Sequence, residues 1–434
     1  MARGSASKRG ARGVAALSSL IVLAAACHSS PPPPPAASFT TKWPIKHVVF
    51  IVKENRSFDS LFGRFPGADG ATTGRDGSAV VPLRRGTYVI PTDLPHAYSD
   101  AEIDWNHGAM DGFGHVVDGF QTPYAYTQMF PDQIPDYYRW AKDFVLGDNF
   151  FASVMGSSFP NRIFTIAAQS GGTRDGPYAR VERPSGIAKS WGCDAPKGEY
   201  VPVIDQEGNA MNTFPCFDFQ TEGDLLTKGG VPWSFYAPTN TQNGYIWSAY
   251  NSIKHIRETD QWGQHVFPVD GVIDDIQKDR LPPVTWIAPR FEDSEHPKFK
   301  TSLCQGMNWT TAVVDAIMRS PMWKDTAIFI SWDEWGGFYD HVPPQQIDRF
   351  GLGFRVPLMV ISPYAIRGRV DHHWGEFSSV LRFIEENWSL PSLTKRDETA
   401  SDLSYDFDFT QKLLPPDPLP ALANCPASGH SPMP

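Results

Sequence analysis

The residues best suited to chemistry in this chain stand where two apolar runs stop short on carboxylates. The run 326–332 (TAIFISW) ends on Asp333 and Glu334, followed by Gly336-Gly337 and Asp340-His341. The run 47–53 (HVVFIVK) ends on Glu54 and Asn55, followed by Arg56-Ser57-Phe58-Asp59. Short apolar runs bounded by turn residues read as buried parallel strands, and open α/β sheets gather ligands at the carboxyl ends of such strands. Two strand ends can therefore deliver Glu54, Asn55, Asp333 and Glu334 to one place. Hard oxygen donors of this kind suit one divalent cation, Mg²⁺, Mn²⁺ or Ca²⁺, better than a soft-ligand metal. The plainer alternative is that Glu54 caps the next helix and Asp333-Glu334 cap a loop. A hydroxyl completes the set. Ser158, in Gly156-Ser157-Ser158-Phe159-Pro160-Asn161, immediately precedes the helical pattern 162–169. A helix N-terminus favours a bound phosphate, and a cation on the hydroxyl would lower its pKa for attack. An ordinary N-cap serine explains the same local sequence equally well.

The elements that must position these groups follow from the hydrophobic pattern. Apolar runs at 47–53, 144–147, 232–237, 284–289, 326–332 and 356–362 predict strands. Patterns at 135–142, 162–169, 309–319 and 377–388 predict helices, the third with Asn308 as its N-cap. Strands alternating with helices mark βαβ units and an α/β fold. The Gly- and Pro-rich stretches 65–95 and 171–207 read as long insertions around the site.

Both acidic segments resemble the bacterial phosphoesterase family that holds the non-haemolytic-type phospholipases C and a group of acid phosphatases. That family carries an ENRSFD-like motif near its start and a (T/S)-x-DE-x-GG-F-x-DHV-PP motif near its end. Further segments match in order between and after them. Asp104-Trp105-Asn106-His107 and Met110-Asp111-Gly112-Phe113 look like its D-x-x-H and MDGF. Gly156 to Arg162 resembles its G-x-(T/S)-x-PNR, and Ser294-Glu295-His296-Pro297 its DEHP. Gly353-Phe354-Arg355-Val356-Pro357 and Ile361-Ser362-Pro363 look like its GFRVP and ISP. The resemblance runs from about residue 46 to 409. It implies an alkaline-phosphatase-like three-layer sandwich with a mostly parallel central sheet. It also implies a cation held by Glu54, Asn55, Ser158, Asp333 and Glu334, and Ser158 rather than Ser157 as nucleophile. His107, His296 and His341 are expected around the phosphate, with Asp340 placed to orient His341; which imidazole is the general acid stays open. Where the family has an Asp-His-Thr-Ser-like stretch, this chain has His372-His373 and then Gly375-Glu376-Phe377-Ser378-Ser379, a departure that leaves those histidines without a role.

The 434 residues are 41% hydrophobic and 13% aromatic, as expected of a globular enzyme. The first 26 are a signal-peptide pattern: Arg3, Lys8, Arg9 and Arg12 precede a short apolar core at 14–26, shorter than the ~20 residues that span a bilayer. Leu23-Ala24-Ala25-Ala26-Cys27 resembles a lipobox, with Ala24 where an aliphatic residue is usual, so Cys27 is expected to carry a lipid anchor. The chain is accordingly expected to be exported, as a periplasmic or membrane-anchored lipoprotein. The sequence divides into 1–26 signal peptide, 27–43 Pro-rich linker, 44–412 catalytic domain and 413–434 Pro-rich tail. Without its first 26 residues the chain keeps 34 basic groups against 48 acids, a net charge of −14. Such a surface is a poor partner for nucleic acid. Four cysteines remain beyond Cys27, an even number that suggests disulfides in an exported chain. Pairing the nearest two, Cys193 with Cys216, would leave Cys304 to hold the tail at Cys425.

The expected function is hydrolysis of a phosphoester, with a phospholipid head group or a small phosphomonoester as substrate. The chain's short C-terminus tilts the expectation toward a broad phosphatase or phosphodiesterase. Two alternatives stand beside it. Ser158-Phe159-Pro160-Asn161-Arg162 also fits the S-x-P-x-R pattern of sulfatases, which share the superfamily fold. A surface lipoprotein that binds a ligand without turnover would use the same fold.

Overall fold

The computed structural model describes residues 40–114, 124–178, 186–298, 301–423 and 425, with strand backbone at 116–117 and 120–121. The signal-peptide pattern and Cys27 lie outside these residues. Eight strands form the central sheet: His47–Lys53 (β1), Val145–Gly147 (β2), Trp233–Ala237 (β3), Val266–Pro268 (β4), Val284–Ile287 (β5), Thr326–Trp332 (β6), Leu358–Ile361 (β7) and Arg369–Asp371 (β8). Their order across the sheet is β4-β3-β5-β1-β6-β7-β2-β8. All neighbours run parallel except β7, which is antiparallel to both β6 and β2. The two strands that carry the acidic ends, β1 and β6, are adjacent at the centre and in register over their full length.

Helices cover both faces. Pro135–Asp143 (α1), Ser158–Ala167 (α2), Leu303–Arg319 (α3) and Phe377–Trp388 (α4) are the principal ones. Phe50, Trp286 and Phe329 share a row across β1, β5 and β6. Phe50 packs on Phe377 and Phe329 on Phe383, both of α4, while the Trp286 indole donates to the Thr165 carbonyl of α2. Alternation sends Lys53 and Trp332 to the opposite face. There Trp332 meets Tyr137 of α1 edge-on, and Lys53 Nζ donates to the carbonyl of Gly306 in α3 at 3.1 Å. The result is a three-layer α/β sandwich. Burying each such aromatic ring contributes roughly 1.5–3 kcal/mol, so truncating the fully buried Trp332 would cost about 3–5 kcal/mol.

Several elements differ from their expected limits for identifiable reasons. α4 matches, being strongly amphipathic and fixed by a capping box in which Glu376 accepts from Ser378 N and Ser379 Oγ accepts from Glu376 N. α2 starts at Ser158, four residues before the expected start, because Pro160 falls in its first turn, where no amide bond is lost. α3 starts at Leu303, not after Asn308. Its early turn contains Gly306, a helix-weakening residue kept because a Cβ there would lie 2.3 Å from Glu295 Cγ. Asn308 is interior, and its side chain instead holds the backbone of Leu422. Both expected disulfides form, Cys193–Cys216 and Cys304–Cys425. The described part of the tail lies against α3, with Leu419 N donating to Asp315 Oδ1 at 3.0 Å. At the other end, Lys42 and Trp43 of the expected linker dock on α4. Among the described residues no helix is long and apolar enough to cross a membrane.

Candidate active site

The pairing of Lys53 with Trp332 makes β1 and β6 end side by side, so the residues that follow leave the sheet together. Asp333 N donates to the Lys53 carbonyl at 3.1 Å, Asn55 N to Asp333 Oδ1 at 3.1 Å and Arg56 N to the Glu334 carbonyl at 3.0 Å. Asn55 takes a left-handed φ of 58°, which asparagine tolerates. Gly336 has a φ of 63°, and a Cβ there would stand 2.4 Å from Asn55 Cβ. Glycine is what lets the loop after Glu334 close over Asn55. Glu54, Asn55, Asp333 and Glu334 are all wholly buried.

α2 brings the hydroxyl to them. Ser158 Oγ donates to Glu54 Oε2 at 3.1 Å. One turn later, the Arg162 guanidinium donates to Glu54 Oε1 at 2.8 and 2.6 Å, and its Nε lies 3.4 Å from Asp333 Oδ2. Neither capping alternative accounts for Ser158 or Glu54. The N-cap of α2 is Ser157, whose side chain makes no cap bond, and helix Phe58–Phe62 is capped by Ser57. Loop capping describes only part of the acidic pair: Glu334 Oε2 accepts from Gly336 N at 2.6 Å.

What remains of these side chains is largely unsatisfied. Asn55 Oδ1 and Glu334 Oε1 are buried with no hydrogen-bond donor, a condition that costs about 1–3 kcal/mol for each group, and Asp333 Oδ2 has only the Arg162 ion pair at 3.4 Å. Burial and the neighbouring Asp333 push the Glu54 carboxyl well above the usual carboxylate range, against the pull of Arg162. Burial likewise pushes Glu334 up to about 8. Dry acidic oxygens of this kind, some without donors, fit a hard divalent cation. Arg162 already stands between Glu54 and Asp333, and the three carboxylates share one wall without closing into a tight ligand cluster.

Two imidazoles face that wall. His96 Nε2 lies 3.5 Å from the Asn55 side-chain amide and 4.0 Å from Glu334 Oε1. Its Nδ1 sits 2.6 Å from the Leu94 carbonyl, which makes Nδ1 the donor and turns Nε2 toward the acids. His296 packs edge-on against His96, and Asp93 Oδ1 lies 3.6 Å from one ring and 3.8 Å from the other. Burial pulls His96 down, but Glu334 and Asp93 outweigh it and hold its pKa at about 9. Burial and the adjacent His96 drive His296 well below its ordinary value. A cavity of about 550 Å³ opens onto Ser158, His96 and His296, with Trp191 and Trp247 among its walls.

The structure thus brings Glu54, Asn55, Ser158, Asp333, Glu334 and His296 together, and adds His96 and Arg162. It places the other two expected histidines elsewhere. His107 is exposed on a turn with φ 55°, its ring beside Trp105, and it lines no part of this cavity. His341 is engaged with Asp59 Oδ2 at 2.7 Å and Asp69 Oδ1 at 3.2 Å. Asp340 makes no hydrogen bond to it; that carboxylate pairs with Arg355 at 3.1 Å, and Asp59 is the acid that holds the ring. His372 and His373 pair with Asp148 and Asp371. Among the described residues two trios have ligand atoms within 4.8 Å of one another: Asp93, His96 and His296, and Asp59, Asp340 and His341. The second is already neutralised by Arg355. His96 is a candidate site residue that sequence reasoning missed. Its one signal is the spacing Asp93-x-x-His96, the same spacing that drew attention to Asp104-x-x-His107.

Proteins similar in sequence to this chain include phospholipases C. The chain is 27% identical over 435 residues to the hemolytic phospholipase C of Pseudomonas aeruginosa, covering 84% of this chain and 56% of that protein. It is 27% identical over 455 residues to phospholipase C B of Mycobacterium tuberculosis, covering 86% and 79%. It is 26% identical over 449 residues to the non-hemolytic phospholipase C of Burkholderia pseudomallei, covering 84% and 59%. The chain therefore spans little more than half the length of two of these relatives. Among solved structures, an alkaline phosphatase superfamily protein from Vibrio parahaemolyticus is similar with a TM-score of 0.38, 12% identity, and coverage of 87% of this chain and 72% of that one. The sequence profile of the Phosphoesterase family matches residues 45–391, and the chain belongs to that family.

Proposed function

We propose that the chain is an exported phosphoester hydrolase in which Ser158 attacks phosphorus. One observation carries the reading: a hydroxyl at the N-terminus of α2 lines one cavity with two imidazoles and donates at 3.1 Å to Glu54, one of a group of wholly buried acidic residues behind that cavity. The relatives' names support the phosphoester class. In the forward step the Ser158 Oγ–P bond forms as the bond from phosphorus to the leaving oxygen breaks. The hydroxyl proton passes to Glu54 Oε2, the oxygen to which Ser158 Oγ already donates. The leaving oxygen takes its proton from an imidazole of the His96–His296 pair, and water then releases phosphate from the serine by the reverse roles. A divalent cation held by Glu54, Asn55, Ser158, Asp333 and Glu334 would neutralise charge on the phosphoryl oxygens and lower the serine pKa. His96 takes the place first given to His107, on distance alone.

Export is supported by two disulfides, which belong to oxidising compartments. The mass of the mature N-terminus tests cleavage and lipidation at Cys27. For the activity, purified protein is assayed on p-nitrophenyl phosphate and p-nitrophenylphosphorylcholine, with chelator and after return of Mg²⁺, Mn²⁺ or Ca²⁺. Turnover that chelation removes and a cation restores is the expected result; no turnover of either ester with any cation refutes the reading.

A further inference from the structure

The outer half of the cavity carries its own charge pattern. Lys189 and Lys298 stand on its rim, both exposed. Lys189 has no ionic partner among the described residues. Lys298 reaches Asp93 Oδ2 at 3.9 Å, but the other oxygen of that carboxylate is already shared between His96 and His296. Asp93 is the one acid among the described residues that line the cavity. The rim therefore presents two lysines against a single carboxylate with other claims on it. This contrasts with the net charge of −10 for the whole chain, so attraction of an anion here is local.

The walls are aromatic, and an aromatic wall by itself suits either a flat ring or a quaternary ammonium. Two observations separate these. A quaternary ammonium would bring a like charge to the lysines. It would also need bare aromatic faces, and Trp247 has none: it is 2% exposed, stacked on Phe291 at 5.8 Å, with the Arg162 guanidinium 5.4 Å over its ring. Trp191 also lines the cavity; it is half-buried and meets Phe159 at a right angle, with ring centroids 6.1 Å apart.

We propose that Lys189, Lys298 and Trp191 select phosphoesters that carry both a second anionic group and a flat ring system, nucleoside bisphosphates being a simple example, over choline-type head groups. The inference rests on the hydrolase reading of Ser158 for its chemistry and on the rim for its specificity. Adenosine 3′,5′-bisphosphate and adenosine 5′-monophosphate differ by the one phosphate in question. The wild-type enzyme should favour the bisphosphate by about tenfold in kcat/KM, a few-fold for each solvent-exposed lysine. The ratio should fall to about one in the double variant K189A/K298A, and should shrink as salt rises from about 20 mM to about 500 mM. p-Nitrophenylphosphorylcholine should be a poorer substrate than p-nitrophenyl phosphate. No preference in the wild type, a preference that survives the double substitution, or faster turnover of the choline ester overturns the proposal. Calorimetric binding of the bisphosphate to S158A, with and without the lysine substitutions, reads the rim without turnover. Lysine-dependent binding with no hydrolysis of any ester would overturn the Ser158 reading and leave the anion site standing.

Discussion

Replacing Ser158 by alanine separates catalysis from stability more sharply than any other single change. The substitution removes one hydroxyl from a residue 3% exposed. That hydroxyl makes one hydrogen bond, to Glu54, of a kind worth ~1.5–3 kcal/mol when the partner is charged. Glu54 keeps both bonds from Arg162, so no carboxylate is stranded and the low end applies, about 1–1.5 kcal/mol. Helix α2 loses no cap, because its N-cap is Ser157. For a chain of this size such a loss lowers Tm by only about 1–2 °C. Loss of a nucleophile, in contrast, costs on the order of 10⁴–10⁶ in kcat. Ser157→Ala is the matched control. Its Oγ is buried without a partner, so its removal should leave stability unchanged within about 0.5 kcal/mol and kcat within a few-fold. Initial rates on p-nitrophenyl phosphate and a thermal melt of the same preparations give both quantities. Retention of more than about 1% of wild-type kcat by Ser158→Ala, where five orders of magnitude are expected, would refute the nucleophile; so would an equal loss in Ser157→Ala.

Three other outcomes are expected. Asp333→Asn and Glu334→Gln each remove an anionic donor, so bound divalent cation by elemental analysis and kcat should fall together, by tenfold or more; unchanged metal content in both would exclude the cation site. Burial lowers the His341 pKa, but its contact with Asp59 more than compensates and raises it to about 9, from an ordinary value near 6.5. A raised folded-state pKa gives stability that is full below about pH 6.5 and lost as pH rises through about 9. The urea midpoint of the wild type should therefore fall across that window relative to His341→Gln, and parallel profiles would show that the Asp59 contact contributes nothing. Replacing Cys304 and Cys425 together by serine opens a cross-link spanning 121 residues, which should cost about 2–5 kcal/mol; limited proteolysis should then cut the tail ahead of the rest, and an unchanged melt and digest would show that the tail holds without it.

The centre of the sheet was legible because its pattern is redundant. β1 and β6 have the limits the hydrophobic runs predict, and so does α4, since the two strands are buried almost throughout, the helix buries one broad face, and all three are bounded by strong turn or cap residues. The edges were not. Val266–Pro268 and Arg369–Asp371 are three residues each, too short for any period to register, and they are strands only because a neighbour offers them a ladder. Helix starts moved for a similar reason. Pro160 and Gly306 look like breakers in sequence, yet one sits where its missing amide costs nothing and the other where a larger residue would collide with Glu295.

The same distinction explains which half of the site could be read. Glu54, Asn55, Asp333 and Glu334 are fixed by a local rule, the end of a strand, and need only β1 and β6 to be neighbours. The histidines arrive on loops, whose paths depend on contacts that no window of sequence contains. The spacing Asp-x-x-His occurs at 93–96 and again at 104–107, and nothing in either copy says which one enters the cavity. The structure distinguishes them by what the aspartates do. Asp104 accepts from the Trp335 indole at 2.9 Å, which pins a packing cluster and leaves His107 on the surface. Asp93 lies against both imidazoles of the cavity instead. Arg162 was hidden differently: in sequence it is a charge within a helical pattern, and only the closing of α2 onto β1 makes it the counter-ion of Glu54. Spacing could nominate these residues, but the choice between identical spacings belongs to tertiary packing.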